Sequence, residues 1–323
     1  MTRLLSRWAE SLFWLARYVE RTENLARILD VQETFARDSG GRNDWRLVLV
    51  INADEAAFFK RHTEADSGSV LRFYLTDRSN PTSILANLHG ARENARALRP
   101  LISTEMWTQL NMLYNRALAL KPTDIAEEKL SGLCDWIKRG CDAHTGITAG
   151  TFYRDEGWCF YQLGAAIECA DQTTRLLDVK FLNFMAQADQ DPGSATDSFY
   201  WMALLRSVAG YQAFRRRHPR GMEPDQVAAF ILSDPSFPRS VAACLGVIDE
   251  QLTALRRQYN LRAAGSALQF LDEIRDDLEV RNVRKAIEAG ELHRFNDFLQ
   301  RAFIELTTRI GVGFFGYKPA DAA

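Results

Sequence analysis

The stretch Leu15-Ala-Arg-Tyr-Val-Glu-Arg-Thr-Glu-Asn-Leu-Ala-Arg-Ile-Leu-Asp-Val31 decides how the whole chain is read. At about 100° per residue, Arg17, Glu20, Asn24 and Arg27 fall in one narrow arc, and Trp8, Leu12, Leu15, Val19, Thr22, Ala26 and Leu29 fill the opposite one. The pattern predicts a long helix with a core face and a face of paired charge. The stretch also recurs: Leu163-Gly-Ala-Ala-Ile-Glu-Cys-Ala-Asp-Gln-Thr-Thr-Arg-Leu-Leu-Asp-Val179 aligns with it without a gap, 148 residues later. Leu15, Glu20, Arg27, Leu29, Asp30 and Val31 each meet an identical residue, while Glu23 and Asn24 meet Asp171 and Gln172.

Working outward, the 3.6-residue period continues through most of the chain, and proline and glycine are confined to a few junctions. The one strand-like run, Leu47-Val-Leu-Val-Ile51, lies among helical patterns and is read as helix. Helices are expected over 5–37, 45–62, 70–76 and 80–99, with Asn80 as cap and Pro81 at the first helical position. Further helices are expected after the caps Ser103, Thr123 and Asp197, and loops at 38–44 and 190–193. The fold class is therefore all-α, a long-helix bundle built from two related halves by internal duplication. The halves are residues 1–150 and 151–323, packed together as one domain. The aromatic tail Phe314-Phe-Gly-Tyr317 is expected to dock, since exposing three rings would be costly.

The composition is that of an ordinary globular chain, with 46% hydrophobic and 25% charged residues. A net charge of −2 gives no basic field for nucleic acid or an anionic membrane. Arg3, Arg7, Glu10 and Arg17 interrupt the apolar N-terminus, and no uncharged run approaches the ~18 residues of a membrane span, so a cytoplasmic protein is expected. Five scattered cysteines, an odd number, suit a reducing compartment.

The strongest site candidate is the charged face: Arg17, Glu20, Arg21, Asn24 and Arg27 in the first copy, and Glu168, Asp171 and Arg175 in the second. Spacings of three and four residues bring such side chains together, and a guanidinium with donors left over suits a carboxylate or phosphate. The alternative is a polar network between the two long helices that fixes their register. A third charged run, Arg92, Glu93, Asn94 and Arg96, lies along one side of a helix, where solvated ion pairs are the plain reading. Arg154 and Asp155 precede the second copy and Arg239 stands in the Pro-rich turn, where capping is the plain reading. Cys141 and His144 are three apart on a helix, but no pattern supplies the other ligands of a metal site. Cys169 occupies the position matching Arg21 and reads as a small buried thiol. The chain carries no Gly-rich phosphate loop and no nucleophile elbow.

Four segments in order, Ser6-Arg-Trp-Ala-Glu-Ser-Leu-Phe-Trp-Leu-Ala-Arg-Tyr-Val-Glu-Arg21, Ala91-Arg-Glu-Asn-Ala-Arg96, Arg154-Asp-Glu-Gly-Trp158 and Phe237-Pro-Arg-Ser240, together resemble the bacterial alpha-E domain family. The resemblance runs from near residue 4 to near residue 316. It implies an all-helical domain with a conserved Glu-Arg pair, matched here by Glu20-Arg21. The family commonly repeats the pair in the second copy, where this chain has Glu168-Cys169. It also implies a setting: a circularly permuted ATP-grasp protein encoded beside or fused to the domain, often with a transglutaminase-like protease, in systems that ligate or modify peptides. ATP and Mg would then belong to the partner and no cofactor to this chain. The expected role is that of a helical accessory subunit binding the ligase, or its amine or peptide substrate. Arg17, Arg27 and Arg175 would hold carboxylate or phosphate, and Glu20 and Glu168 would orient them or receive an ammonium. The rival readings are an enzyme using Glu20 or Glu168 as general acid/base in a cavity between the halves, and a purely structural scaffold.

Overall fold

Two helices of 33 residues each, α1 (Ser6–Asp38) and α8 (Glu156–Ala188), pack along one another and carry the rest of the chain. Their contact is close because Gly164 has no side chain: a Cβ there would lie 2.1 Å from the carbonyl oxygen of Phe13. The structure, a computed structural model, describes residues 4–38, 44–188, 195–278 and 280–318, and among these every regular element is helical. The shorter helices between the two long ones are α2 (Arg46–Ile51), α3 (Glu55–Phe58), α4 (Ser67–Leu75), α5 (Ile84–Ala97), α6 (Thr104–Leu118) and α7 (Glu127–Thr151). After α8 come α9 (Ala195–Ser207), α10 (Tyr211–Arg217), α11 (Pro224–Ser233), α12 (Val241–Arg257), α13 (Ala264–Asp277), α14 (Val280–Glu288) and α15 (Leu292–Ile310).

Each long helix is covered from both sides of the sequence. Helices α5, α7 and α9 pack on α1, and α12, α15 and α2 pack on α8. The buried apolar side chains form one continuous cluster from Ala9 to Phe315. The aromatic tail docks on it, with Phe315 5.4 Å from Phe13 and the Tyr317 hydroxyl donating to Glu10 at 2.6 Å. Among the described residues no helix is long and apolar enough to cross a membrane.

The short helices after α1 and those after α8 repeat the same local contacts. Ala53 and Ala209 both turn the chain at φ 57°. Phe58 stacks on His62 at 4.4 Å and Phe214 on His218 at 4.6 Å. Arg61 pairs with Asp77, and Arg217 with Asp234. Ser83 and Ser240 cap α5 and α12, each accepting from a backbone N–H three residues on and donating at 2.6 Å to the carbonyl of Asp77 or Asp234.

Several boundaries differ from the sequence reading. The cap of α5 is Ser83, and Asn80-Pro81 forms the turn before it, with the Asn80 amide donating to the Phe73 carbonyl. Thr123 lies in a short 3₁₀ turn, and α7 is capped by Ala126. The expected helix over 45–62 breaks after Ile51, because Ala53 takes a left-handed conformation that no glycine announces. Leu47–Ile51 is helical, as read. Residues 39–43 and 190–193, read as loops, lie outside the described residues.

Because the contact at Gly164 is with backbone, which cannot move aside, Gly164→Ala should cost about 3 kcal/mol of unfolding free energy in urea. Gly146→Ala, on an exposed stretch of α7 with nothing within 4 Å, should instead be neutral or stabilise by up to about 1 kcal/mol.

Candidate functional site

Neighbouring residues on a helix point about 100° apart, so Glu20 and Arg21 serve two different charge centres. Arg21 reaches the fully buried Glu168 on α8, donating through Nε to Oε1 at 2.7 Å and through Nη2 to Oε2 at 2.9 Å. Arg17 donates to the same carboxylate at 2.7 Å, and Gln172 adds a bond at 3.2 Å. Burial alone would raise the Glu168 pKa, but Arg21 and Arg17 outweigh it and pull it from 4.5 down to about 2. Glu168 is therefore an ionised anchor with its acceptors occupied, and a poor general acid or base at neutral pH.

Glu20 makes the second centre. Arg239, from the turn before α12, donates to its carboxylate at 2.5 Å and also bonds the Asn24 side chain. Asn24 donates to Glu20 at 3.1 Å, and Arg27 pairs with Glu23 at 2.7 Å. Here burial prevails: it raises the Glu20 pKa against the opposing Arg239 charge, with Glu23 adding to the rise. The two centres match at the 148-residue offset of the repeat. Glu20–Asn24 corresponds to Glu168–Gln172 and Glu23–Arg27 to Asp171–Arg175, and the matching Asp30 and Asp178 each pair with a side chain from another helix, Lys138 and His293. They differ in the source of the guanidinium. Cys169 stands opposite Arg21 in the alignment, and its thiol pKa is raised well above 9.0 by contact with Cys244 and by burial, so it is a protonated core thiol. The cation at Glu20 comes instead from Arg239.

The far side of the Glu168 centre opens into a cleft of about 300 Å³ between α1, α8 and α15, lined by Arg17, Arg21, Asp171, Arg175, Phe303, Ile304, Thr307 and Thr308. Arg17 is held there by the Thr307 hydroxyl at 3.3 Å and by the Trp14 ring at 4.9 Å. Arg175 donates through Nε to Asp171 at 2.9 Å. Among the described residues no hydrogen bond uses Nη1 of Arg21 or either terminal nitrogen of Arg175. These donors give the cleft the chemistry of a carboxylate or phosphate site. Thr307, Thr308 and Ile304 complete it from a helix distant in sequence, and no local motif marks them.

The remaining candidates lie elsewhere. Arg92 bonds Asn111 at 2.7 Å and stacks over Trp107 and Tyr114, with Glu93 and Arg96 alongside and Asn94 half-buried on the same helix. Among the described residues no hydrogen bond or ion pair joins this ladder to Glu20 or Glu168. Arg154 lies over the Trp158 ring at 4.0 Å and Asp155 accepts from the Gly157 N–H, so both serve the start of α8. Arg27 approaches Asp142 at 3.9 Å, on the Glu20 side and not in the cleft. His144 is fully buried, and burial pushes its pKa down to about 4. Among the described residues no group of three or more His, Cys, Asp or Glu side chains is placed to hold a metal ion.

Removing Arg239 leaves Glu20 buried without its cation, so Arg239→Ala should cost about 3 kcal/mol at pH 7. Cys169→Arg in that background should restore half or more of the loss in urea unfolding, because the alignment places position 169 beside Glu20 as Arg21 is beside Glu168.

Uncharacterized proteins of Mycobacterium bovis and of two strains of Mycobacterium tuberculosis are each 26% identical to the chain over 257 residues, covering 71% of it. The match takes up 28% of each relative, so the chain spans little more than a quarter of their length. No solved structure matches. The family model for a predicted alpha-helical domain with a conserved ER motif matches residues 4–315, and the chain belongs to this Alpha-E family.

Proposed function

We propose that this protein is a helical accessory subunit of an ATP-grasp peptide-ligase system, and that it holds a carboxylate or phosphate group of the ligase's substrate in the α1–α8–α15 cleft. The observation that carries this reading is that, among the described residues, no hydrogen bond uses Nη1 of Arg21 or either terminal nitrogen of Arg175, both of which line the cleft, while Glu168 fixes Arg21 and Arg17 in place. A guanidinium anchored on one edge by a buried carboxylate is preorganised, so little ordering is lost when the other edge takes an anion. In this reading ATP and Mg are handled by the partner, and activation of the carboxylate takes place there. That the domain forms a minor part of longer relatives supports a module working beside other domains. The matched contacts of the two centres support an origin of the halves by internal duplication.

A second reading has Glu20 as a general acid/base, and the upward shift of its pKa by burial favours it over Glu168 in that role. Glu20→Gln abolishing turnover while partner association persists would select this reading.

The test of the accessory role is peptide-dependent ATP turnover by the circularly permuted ATP-grasp protein, with and without this chain. Association and a stimulated rate are expected, with Arg175→Ala lowering the stimulation about tenfold. No association and an unchanged rate would count against it.

A further inference from the structure

The cleft contains an acceptor as well as donors. Asp171 is only 7% exposed, and its Oδ2 accepts from Arg175 Nε at 2.9 Å. Its Oδ1 is buried with no hydrogen-bond partner among the described residues, although Asp171 lines the cleft. A buried carboxylate oxygen without a donor is costly, so the position calls for a proton or a cation. Burial pushes the Asp171 pKa up, with Arg175 opposing and the nearby Glu168 charge adding to the rise. Beside this carboxylate stand the terminal nitrogens of Arg175, which no hydrogen bond among the described residues uses, and across the cleft Phe303 and the 59% exposed Ile304 make an apolar wall. The volume of about 300 Å³ is at the lower end of small-molecule sites, roughly 300–1,000 Å³.

From this juxtaposition we infer that the cleft takes an α-amino-acid head group with an apolar side chain, its carboxylate on Arg175 and Arg21, its ammonium on the Asp171 carboxylate, whose side chain is 11% exposed, and its side chain against Ile304. An α-amino acid carries an acceptor and a donor on one carbon, the complement of the adjacent guanidinium and carboxylate edges here. The assignment rests on the anion-holding role proposed above and narrows its ligand to a zwitterion. It moves the ammonium contact to Asp171, away from Glu168, whose oxygens are already occupied by Arg17, Arg21 and Gln172.

Calorimetric titration of the full chain with L-leucine and with 4-methylpentanoate, the same skeleton without the amine, tests this directly. Leucine should bind at least about tenfold more tightly, as expected for a charged hydrogen bond to a buried group. Asp171→Asn, checked for folding by circular dichroism, should abolish the preference while leaving 4-methylpentanoate binding in place. Arg175→Ala should weaken both ligands. Equal binding of the two ligands to the unaltered chain would overturn the ammonium subsite and leave the anion cleft standing. Binding of neither up to millimolar concentration would overturn both. The comparison between ligands needs no variant, so it decides the matter even where Asp171→Asn fails to fold.

Discussion

The carboxylate of Glu168 sits where no water reaches it, and the arrangement of the molecule around the two long helices follows from the need to keep it charged. An isolated ion in such a place would cost many kcal/mol, and only guanidinium groups with good geometry offset that. Arg17 and Arg21 supply them from α1, so the ion pair is also a clamp between the two helices, joining residues 151 and 147 apart in sequence. The close crossing at Gly164 brings the two backbones near enough for these side chains to reach. The Glu-Arg motif of the family thus has a physical meaning in this chain. Its arginine braces the glutamate of the second long helix, and its glutamate receives the arginine of the turn before α12.

Bracing and binding are compatible here because a guanidinium has two edges. The edge facing Glu168 fixes position, and what remains faces the cleft beside α15. The two charge centres have matching contacts along their helices but different surroundings. At Glu20 the Arg239 side chain enters from a turn and closes the space, while at Glu168 the arginines come from α1 and leave the space toward Thr307 and Ile304 open. This asymmetry is why the second centre, and not the first, carries the proposed site.

The sequence announced the long helices, their repetition and the pairs within one helix, because these depend on spacings of three and four residues. Glu20 with Asn24 and Arg175 with Asp171 were legible for that reason. Partners brought together by tertiary packing were not: the Arg239–Glu20 contact joins residues 219 apart, and Thr307 reaches Arg17 from a helix with no motif of its own. The charged face is buried, which the sequence left open, since helical periodicity shows which residues share a side and not what covers it. Arg17, Glu23 and Asn24 are each under 10% exposed. The helix break near Ala53 escaped notice because alanine gives no sign of a left-handed turn.

Glu168 is held ionised in the folded state by Arg17 and Arg21. Its pKa lies below the value of an unfolded chain, so its contribution to stability is full above about 4.5 and is lost as pH falls toward about 2. The most direct measurement is the unfolding free energy of the unaltered chain and of Glu168→Gln in urea across that range. The account predicts a gap of about 3–5 kcal/mol at pH 7 that closes between pH 4.5 and pH 2. A gap that is near zero at pH 7, or that stays constant down to pH 2, would contradict it.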